Sequence, residues 1–235
     1  MRDVLIGIQA RSGSTRLPRK AFELIGGRMM LDRVIEAAKK AADYASHRHG
    51  RGGMKAAVLT PFGDPIAAAF ANRCAIVEGP EHDVLARYVA AADRFESGLI
   101  VRLTGDCPMI PFHLVARMIS LAIDHDYDYV SNVDGRFRTA LDGADCEVIS
   151  RRLLNDLASR AVSPEDREHV TTLARRDPPA WANVGAVMGW FDHSDQKLSV
   201  DTPEDLARVR KACEALEEKH LAAIKALGNR KVHRI

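Results

Sequence analysis

The sequence predicts an α/β fold in which a mostly parallel sheet is flanked by helices. Short apolar runs alternate along the chain with stretches that carry apolar residues at helical spacing. The apolar runs are continuous, as in strands buried on both faces, and the stretches between them are long enough for right-handed crossovers. With 235 residues, of which 46% are hydrophobic, we expect one domain spanning residues 1–235.

The first half of the chain supplies four predicted strands with helices between them. The strands are expected at residues 4–8, 56–60, 75–77 and 99–103, and the helices begin near residues 30, 66 and 83. Beyond residue 126 the spacing is less regular, so a small β-rich excursion is expected at about 130–190, with strand-like runs at 127–133, 146–149 and 184–191. Ser163-Pro164 and Thr202-Pro203 are typical of helix starts, and a short strand at 198–200 precedes the second of them.

Charge and composition argue against several classes of protein. The net charge is +2, from 34 basic and 32 acidic residues, which is a small excess for a nucleic-acid or membrane-surface protein. No run approaches about 18 consecutive apolar residues, so no membrane-spanning helix is expected. The four cysteines are far apart, with no Cys-x-x-Cys pair and no histidine at metal-ligand spacing. They fit buried, reduced side chains of a cytoplasmic protein.

The loop at residues 9–20 is the most informative segment. It follows the first predicted strand directly, and residues 11–20 hold four positive charges and no acid. Ligands of open α/β sheets bind beyond the carboxyl ends of the strands. Gly13 and the neighbouring hydroxyl residues allow backbone amides to approach an anion, which indicates a polyphosphate site. The alternative is a solvated basic surface loop, and neither a P-loop pattern nor Gly-x-Gly-x-x-Gly is present.

The same loop resembles the opening of the cytidylyltransferases, enzymes that make CMP-activated sugars such as CMP-Kdo and CMP-sialic acids. Residues 9–20 match Gln-Ala-Arg-x-Gly-Ser-Thr-Arg-Leu-Pro-x-Lys, and further motifs follow in order at 83–88, 101–108, 129–132, 167–171 and 198–206. They are most similar to the branch named after the spore coat polysaccharide biosynthesis protein F. The resemblance implies a Rossmann-like nucleotide-diphospho-sugar transferase fold, with CTP as the donor and Mg²⁺ as the cofactor.

The implied reaction converts CTP and a sugar or sugar acid to a CMP-sugar and pyrophosphate, by attack at the α-phosphorus. Arg11, Lys20 and Asp106 are then the expected catalytic residues. The expected nucleotide-binding residues are Gln9, Ala10, Arg11, Ser12, Gly13, Ser14, Arg16, Lys20, Thr60, Arg87, Thr104 and Gly105. Two alternatives stay open: a transferase of the same fold that uses another NTP or a non-sugar acceptor, and a nucleotide-binding protein without catalysis.

Two aspartates are the expected metal ligands. Asp106 follows the fourth predicted strand in a Gly-Asp-Cys-Pro turn, and Asp201 follows the run at 198–200. Both are expected at the carboxyl edge of the sheet, where two carboxylates suit Mg²⁺. The alternative for Asp201 is a helix N-cap. Arg87 likewise has an alternative role, as an ion-pair partner of Asp83.

The acceptor side is less well defined by sequence. The residues expected there are Asp142, Asp145, Glu147, Arg167 and His169. The acids could instead support a second metal, Asp142-Gly143 could be only a turn, and Glu147 could be an exposed strand residue. A structural hydrogen-bonding role is the favoured alternative for His169. Because related enzymes use such an excursion to meet a partner subunit, the resemblance also implies a homodimer. Trp181, Trp190 and Phe191 are its candidate contacts, with internal packing as the alternative for each.

Overall fold

The structure is a computed structural model that describes residues 3–50 and 53–228, with side chains described up to residue 219. In chain order the elements are β1 (Asp3–Gln9), a 3-10 turn (Lys20–Phe22), β2 (Leu24–Ile25), β3 (Arg28–Met29), α1 (Met30–His49), β4 (Met54–Pro61), α2 (Pro65–Phe70), β5 (Ala75–Gly79), α3 (Val84–Arg94), β6 (Ser97–Thr104), α4 (Phe112–Asp124), β7 (Tyr129–Ser131), β8 (Glu147–Ser150), α5 (Arg151–Arg160), α6 (Pro164–His169), α7 (Thr172–Arg176), β9 (Val184–Ala186) and α8 (Pro203–Gly228).

Seven strands form one sheet in the order β5-β4-β1-β6-β8-β7-β9. The strands β5, β4, β1 and β6 are parallel neighbours, and β9 is parallel to β7. Strand β8 is antiparallel to both of its neighbours. The separate hairpin β2–β3 is a small antiparallel sheet. The prediction of a mostly parallel sheet flanked by helices is therefore confirmed.

The central strand β1 is buried on both faces because its side chains alternate between two apolar layers. Val4, Ile6 and Ile8 belong to the core under α1 and α4. Leu5 points to the opposite core, which α3, α5 and α7 cover. Gly7 lies directly against Tyr88 of α3, since a Cβ there would be 2.6 Å from the Tyr88 ring. The Tyr88 hydroxyl instead donates to the Gly7 carbonyl at 3.0 Å.

The second half differs in detail from the sequence prediction. The segment at about 130–190 contributes β7, β8 and β9 to the main sheet and also holds α5, α6 and α7. The runs at 127–133 and 184–191 form only three-residue strands, because β7 and β9 pair with each other over three positions. Residues 198–200 form no strand; near them only an isolated bridge joins Asp142 to Lys197. Within the described part of the chain, no helix is long and apolar enough to cross a membrane.

Candidate functional site

The candidate site is a cavity of about 310 Å³ at the carboxyl ends of β1 and β6. The loop at residues 10–20 covers it, and the starts of α3 and α8 and the end of α6 close its sides. Its wall is formed by Gln9, Ala10, Arg11, Ser14, Thr15, Arg16, Lys20, Ala21, Met30, Glu81, Val84, Arg87, Thr104, Gly105, Asp106, Glu168, His169 and Asp201. Its size suits a small-molecule ligand.

Lys20 connects the two aspartates predicted as metal ligands. Its Nζ donates to Asp106 Oδ2 at 2.9 Å, to Asp201 Oδ1 at 3.1 Å and to the Val200 carbonyl at 2.8 Å. Arg16 Nη2 lies 3.2 Å from Asp201 Oδ1 as well. The two carboxylates thus face one point, although they are far apart in sequence.

Asp201 lies next to Lys20 although the residues before it do not form a strand. The Val200 amide donates to the Asp106 carbonyl at 2.9 Å, which joins the segment before α8 to the turn after β6. The N-cap of α8 is Thr202 and not Asp201. The Asp205 amide donates to Thr202 Oγ1, and the Thr202 amide donates to Asp205 Oδ2, each at 3.2 Å. This is a capping box. The alternative of Asp201 as the N-cap is therefore wrong, and its carboxylate is left to the cavity.

The two aspartates fit a hard divalent cation. Within the described residues no group of three or more His, Cys, Asp or Glu side chains could hold a metal ion, so the protein here offers two carboxylates only. Mg²⁺ is commonly bound in this way, with water and substrate phosphates completing its octahedron. The partial exposure of both side chains, 28% for Asp106 and 25% for Asp201, leaves room for those ligands.

The basic loop supplies cations that are only weakly paired. Arg11 lies 3.7 Å from Glu168, and both side chains are about half exposed. Ser14 lines the cavity with Arg11 and Arg16. Ser12 and Gly13, also predicted to bind the nucleotide, lie outside the cavity wall. Ser12 holds the loop instead, because its amide and hydroxyl both donate to Asp64 Oδ2, at 2.8 and 3.1 Å.

Arg87 is buried at the side of the cavity next to β4. Its Nη1 donates to the Leu59 carbonyl at 3.2 Å, and its Nε has no hydrogen-bond partner among the described residues. Burial lowers the pKa of Arg87 from its ordinary value. The predicted alternative, an ion pair with Asp83, is not seen, because Asp83 caps α3 and pairs with Arg167. Thr60 is buried beyond the cavity wall, also with an unpartnered hydroxyl.

Four small or amide residues form the floor of the cavity: Gln9, Ala10, Thr104 and Gly105. The Gly105 amide donates to the Gln9 carbonyl at 2.9 Å. A Cβ on Gly105 would lie 3.0 Å from the Cβ of Ala10 and 3.2 Å from the Gln9 carbonyl oxygen. A larger residue at position 105 would force the ends of β1 and β6 apart.

The predicted acceptor residues separate into two groups. His169 lines the cavity. Asp142 and Asp145 lie outside its wall, in the connection between β7 and β8. Burial and the nearby carboxylates of Asp106, Asp145 and Asp142 raise the pKa of the Cys107 thiol, so this connection lies close to the aspartate site. Burial raises the pKa of Asp145 to about 6, although Arg138 donates to it at 2.7 Å.

Arg167 and Glu147 are placed differently from their prediction as acceptor contacts. Arg167 is turned away from the cavity, because its guanidinium pairs with Asp83 at 3.0 Å and donates to the Ala158 carbonyl. Glu147 is neither in the cavity wall nor exposed; only 1% of its side chain is accessible. Both placements argue against direct contact with a substrate.

Glu147 is the centre of a buried polar cluster that sequence reasoning missed. Its Oε1 accepts from Tyr129 at 2.5 Å, Arg175 at 2.6 Å and Thr171 at 2.7 Å. Its Oε2 accepts from Arg102 at 2.5 Å. We call these five residues the Glu147 cluster. Burial alone would raise the pKa of Glu147, but the two guanidinium groups and the hydroxyl donors hold it below its ordinary value.

The cluster also supports a strained turn in the cavity wall. Val170 has φ +60° and ψ −54°, and the Thr171 amide donates to the His169 carbonyl at 2.5 Å, which defines a γ-turn. A positive φ at a β-branched residue costs on the order of 1–3 kcal/mol. The bond from Thr171 to Glu147 stabilises this turn, and the turn sets the direction in which Glu168 and His169 leave α6.

Comparison with known proteins gives consistent matches. A family model described as "Cytidylyltransferase" matches residues 5–233. The spore coat polysaccharide biosynthesis protein SpsF of Bacillus subtilis is 30% identical over 216 residues, which cover 89% of this chain and 86% of that protein. The structure of a cytidylyltransferase from Leptospira borgpetersenii serovar Hardjo-bovis superposes with a TM-score of 0.79 at 26% identity, covering 100% of both chains.

Two more distant structures share the fold. CMP:2-keto-3-deoxy-manno-octonic acid synthetase complexed with CTP superposes with a TM-score of 0.66 at 21% identity, over 92% of this chain and 99% of that one. Rv0371C of Mycobacterium tuberculosis, in a complex with manganese, superposes with a TM-score of 0.59 at 16% identity, over 90% of this chain and 99% of that one.

Proposed function

The chain belongs to the cytidylyltransferase family, and on that premise we propose that it transfers a cytidylyl group from CTP to a sugar or sugar acid and releases pyrophosphate. The observation that carries the proposal is the cavity at the ends of β1 and β6. There three cations, Arg11, Arg16 and Lys20, and two aspartates share one wall. This combination suits a triphosphate and its metal ion.

The basic loop binds the phosphates in this proposal. Arg11 is about half exposed and Arg16 is mostly exposed, and among the described residues their ion-pair partners are carboxylates at 3.7 and 3.2 Å, which an incoming triphosphate can replace. Lys20 is held more firmly, and its charge lies next to Asp106. Together these groups neutralise the charge that develops on the departing pyrophosphate. Arg11, Lys20 and Asp106 are the proposed catalytic residues.

The nucleoside part of CTP is proposed to bind between α3 and the part of the cavity floor formed by Ala10, Thr104 and Gly105. Arg87 supports this orientation, because it is buried at the cavity side with a guanidinium that is incompletely hydrogen-bonded. Ala10, Thr104 and Gly105 provide a floor that lets a ligand approach the backbone closely. We expect a base selected by hydrogen bonds to its edge to be strongly preferred over a mismatched base.

Asp106 and Asp201 are the residues that would hold Mg²⁺. When bound, the ion would neutralise phosphate charge during attack at the α-phosphorus. The manganese complex of the distant fold relative Rv0371C is compatible with a divalent cation in this fold. For the acceptor we propose the side of the cavity formed by His169 and, close to Asp106, the segment with Asp142 and Asp145. The sugar acid named for the CTP-bound fold relative is the first acceptor to test.

The molecular setting is also a proposal. We propose that residues 1–235 act as one nucleotidyltransferase domain and that two copies form a homodimer. Large apolar side chains exposed after β9, Trp190 and Phe191, support the dimer. The four cysteines are free and buried, as in proteins of a reducing compartment, which supports a cytoplasmic location.

Pyrophosphate release with each nucleoside triphosphate tests the proposal. The assay compares CTP, UTP, ATP and GTP, with Mg²⁺ or with EDTA, over a panel of sugar acids that includes 3-deoxy-manno-octulosonate and over neutral sugars. We expect turnover with CTP and a sugar acid in the presence of Mg²⁺ only. Turnover with another triphosphate would favour the same fold with a different donor, and equal thermal stabilisation by all four without turnover would indicate a nucleotide-binding protein.

A further inference from the structure

The side chain of Gln9 is fixed by a chain of buried contacts that begins in the cavity floor. Gln9 Oε1 accepts from Arg102 Nε at 3.0 Å, and Arg102 Nη1 donates to Glu147 Oε2 at 2.5 Å. Accessibility falls along this chain, to 13% for Arg102 and 1% for Glu147. The Gln9 side-chain amide is therefore held by Arg102 and Glu147, which cannot move without disturbing the core.

The chemistry of these groups determines which end of the amide faces the cavity. A guanidinium has donors only, so it must meet the oxygen end of the Gln9 side chain. A flipped amide would place two donors against each other. The NH₂ group is consequently turned away from Arg102, and among the described residues it has no protein hydrogen-bond partner. Two N–H donors are left for a ligand.

We propose that the NH₂ group of Gln9 donates to the carboxylate of a sugar-acid acceptor, and that Arg102 and Glu147 are positioning residues that hold the amide in this orientation. The proposal rests on the proposed cytidylyltransferase function and adds a substrate class and named contacts to it.

The position of Gln9 assigns it to the acceptor half of the cavity. Its side chain reaches sideways from β1 to β6, the strand that leads to Asp106. Arg87, on the nucleoside side, is bound to the opposite neighbour β4 through the Leu59 carbonyl. His169 and Glu168 come from the turn that the Glu147 cluster supports. Gln9 thus shares its support with the turn that carries His169, which we propose for the acceptor side.

The charge of the cluster favours an anionic group above Gln9. Within the part of the chain that the structure describes, Glu147 is the one carboxylate that pairs with both Arg102 and Arg175. Asp134 also faces Arg175 from farther away, but it is bound to Arg136. Arg102, Arg175 and Glu147 together therefore carry one net positive charge. A sugar carboxylate bound to Gln9 would lie next to Arg102, one of these two guanidinium groups, whereas a neutral sugar would gain nothing from its charge.

Three substitutions separate this role from general support of the fold. Arg102→Lys keeps a positive charge for Glu147 but loses the fork that also reaches Gln9. Gln9→Glu keeps the size and loses the donors. Tyr129→Phe is the matched control, because its hydroxyl binds the other oxygen of the same carboxylate, Oε1.

Initial rates with 3-deoxy-manno-octulosonate at saturating CTP and Mg²⁺ provide the kinetic measurement, and calorimetry gives the Kd for CTP. We expect Arg102→Lys and Gln9→Glu to raise the KM for the sugar acid by about tenfold or more, as for a lost hydrogen bond to a charged group. The Kd for CTP should stay within about twofold of the wild-type value, because the proposed contact is to the acceptor. Tyr129→Phe should lower the melting temperature without changing this KM. An unchanged KM in Arg102→Lys and Gln9→Glu overturns the proposal.

An NMR measurement that does not depend on enzyme activity tests the positioning of Gln9 even if the sugar acid is not a substrate. The side-chain NH₂ signals of Gln9 in the NMR spectrum are assigned by their loss in Gln9→Glu. Arg102→Lys should shift them and Tyr129→Phe should not. If wild-type enzyme shows no turnover with any sugar acid, the proposed acceptor class fails, while shifted signals still support the positioning by Arg102. Unshifted signals in Arg102→Lys overturn the positioning itself.

Discussion

Lys20 stabilises two carboxylates that would otherwise repel each other. Asp106 and Asp201 both face its ammonium group at no more than 3.1 Å. Burial raises the pKa of Asp201, but the hydrogen bond and charge of Lys20, with Lys197 and Arg16, lower it below its ordinary value overall. Asp201 is therefore ionised at neutral pH, as its proposed role as a metal ligand requires.

Replacing either aspartate with asparagine should remove activity and leave the fold intact. Asp106→Asn and Asp201→Asn keep the side-chain shape, and Asp201 is not the cap of α8. We expect pyrophosphate release to fall by roughly 10²–10³ in each single variant, because a transition-state interaction of a few kcal/mol is lost. The double variant should be little worse, since both changes disable the same metal site. Near-wild-type turnover of Asp106→Asn at saturating Mg²⁺ would show that the metal lies elsewhere.

Asp145 should make the stability depend on pH between about 4 and 7. Its folded-state pKa of about 6 lies above the ordinary value of 3.8, so the folded protein binds this proton more tightly than the unfolded chain. The resulting stability is fully present below the unfolded pKa and is lost as the pH rises through 6. Relative to Asp145→Asn, the wild type should lose up to about 3 kcal/mol of unfolding free energy over this range. Urea denaturation at pH 4.5 and pH 7 measures the difference; parallel pH curves for the two proteins would contradict it.

At the scale of elements, the start of α8 is supported by several hydrogen bonds to one carboxylate. Asp205 is buried and accepts from the amides of Asp201 and Thr202 and from the side chains of Lys197 and Arg208. Although burial raises its pKa, these donors hold the pKa of Asp205 well below its ordinary value. This arrangement fixes the residue before the helix, and so the direction of the Asp201 carboxylate.

Asp205→Asn should therefore affect both stability and the metal site. We expect a loss of about 1–3 kcal/mol of unfolding free energy, from a weakened cap and lost charge-assisted hydrogen bonds. The Mg²⁺ concentration required for half-maximal activity should rise as well. Glu214→Gln, an exposed change in the same helix, is the control and should change neither quantity. Denaturant titration measures the stability, and a Mg²⁺ titration of activity measures the metal requirement. An unchanged Mg²⁺ requirement in Asp205→Asn would show that the cap of α8 does not position Asp201 for the metal.

Elements with a local signal could be predicted from the sequence, and those fixed by distant contacts could not. The strands β1, β4 and β6 are continuous apolar runs, and the box Thr202–Asp205 is visible in four residues. Residues 198–200 look like a strand, but their amides bond to loop carbonyls instead: those of Leu198 and Ser199 donate to Asp142, and that of Val200 donates to Asp106. Helix α4 was not among the predicted helices. Its apolar residues Val115, Met118, Ile119 and Ala122 nevertheless have helical spacing, so the sequence did contain a signal for it.

The candidate site shows the same division. The basic loop and Asp106 have sequence signals because each lies next to a strand end. The burial of Glu147 has no local signal, because its partners come from β6, β7, α7 and the turn before α7. The ion pair of Arg167 has no local signal for a similar reason: its partner Asp83 is 84 residues away.

For the whole molecule, the exposed aromatic side chains after β9 predict a second copy of the chain. Trp190 is 99% exposed and Phe191 is 76% exposed. Light scattering should give twice 25.9 kDa at micromolar concentration. Trp190→Asp combined with Phe191→Asp should give a monomer that stays folded, because neither side chain is packed in the protomer. Phe62→Asp, at another exposed phenylalanine, should stay dimeric; a wild-type mass near 25.9 kDa would remove the proposal.

The reversed direction of β8 has a consequence for how such a molecule can diversify. Because β8 is antiparallel to its neighbours, its amino end meets the carboxyl end of β7 at the ligand edge of the sheet. The chain between them, residues 132–146, therefore starts and finishes on that edge. Loops of this kind accept changes in length at little cost in free energy, since loop-closure entropy grows slowly with length. Insertions or exchanges in this segment can alter the surroundings of the acceptor while the strand order, the basic loop and the two aspartates stay as they are.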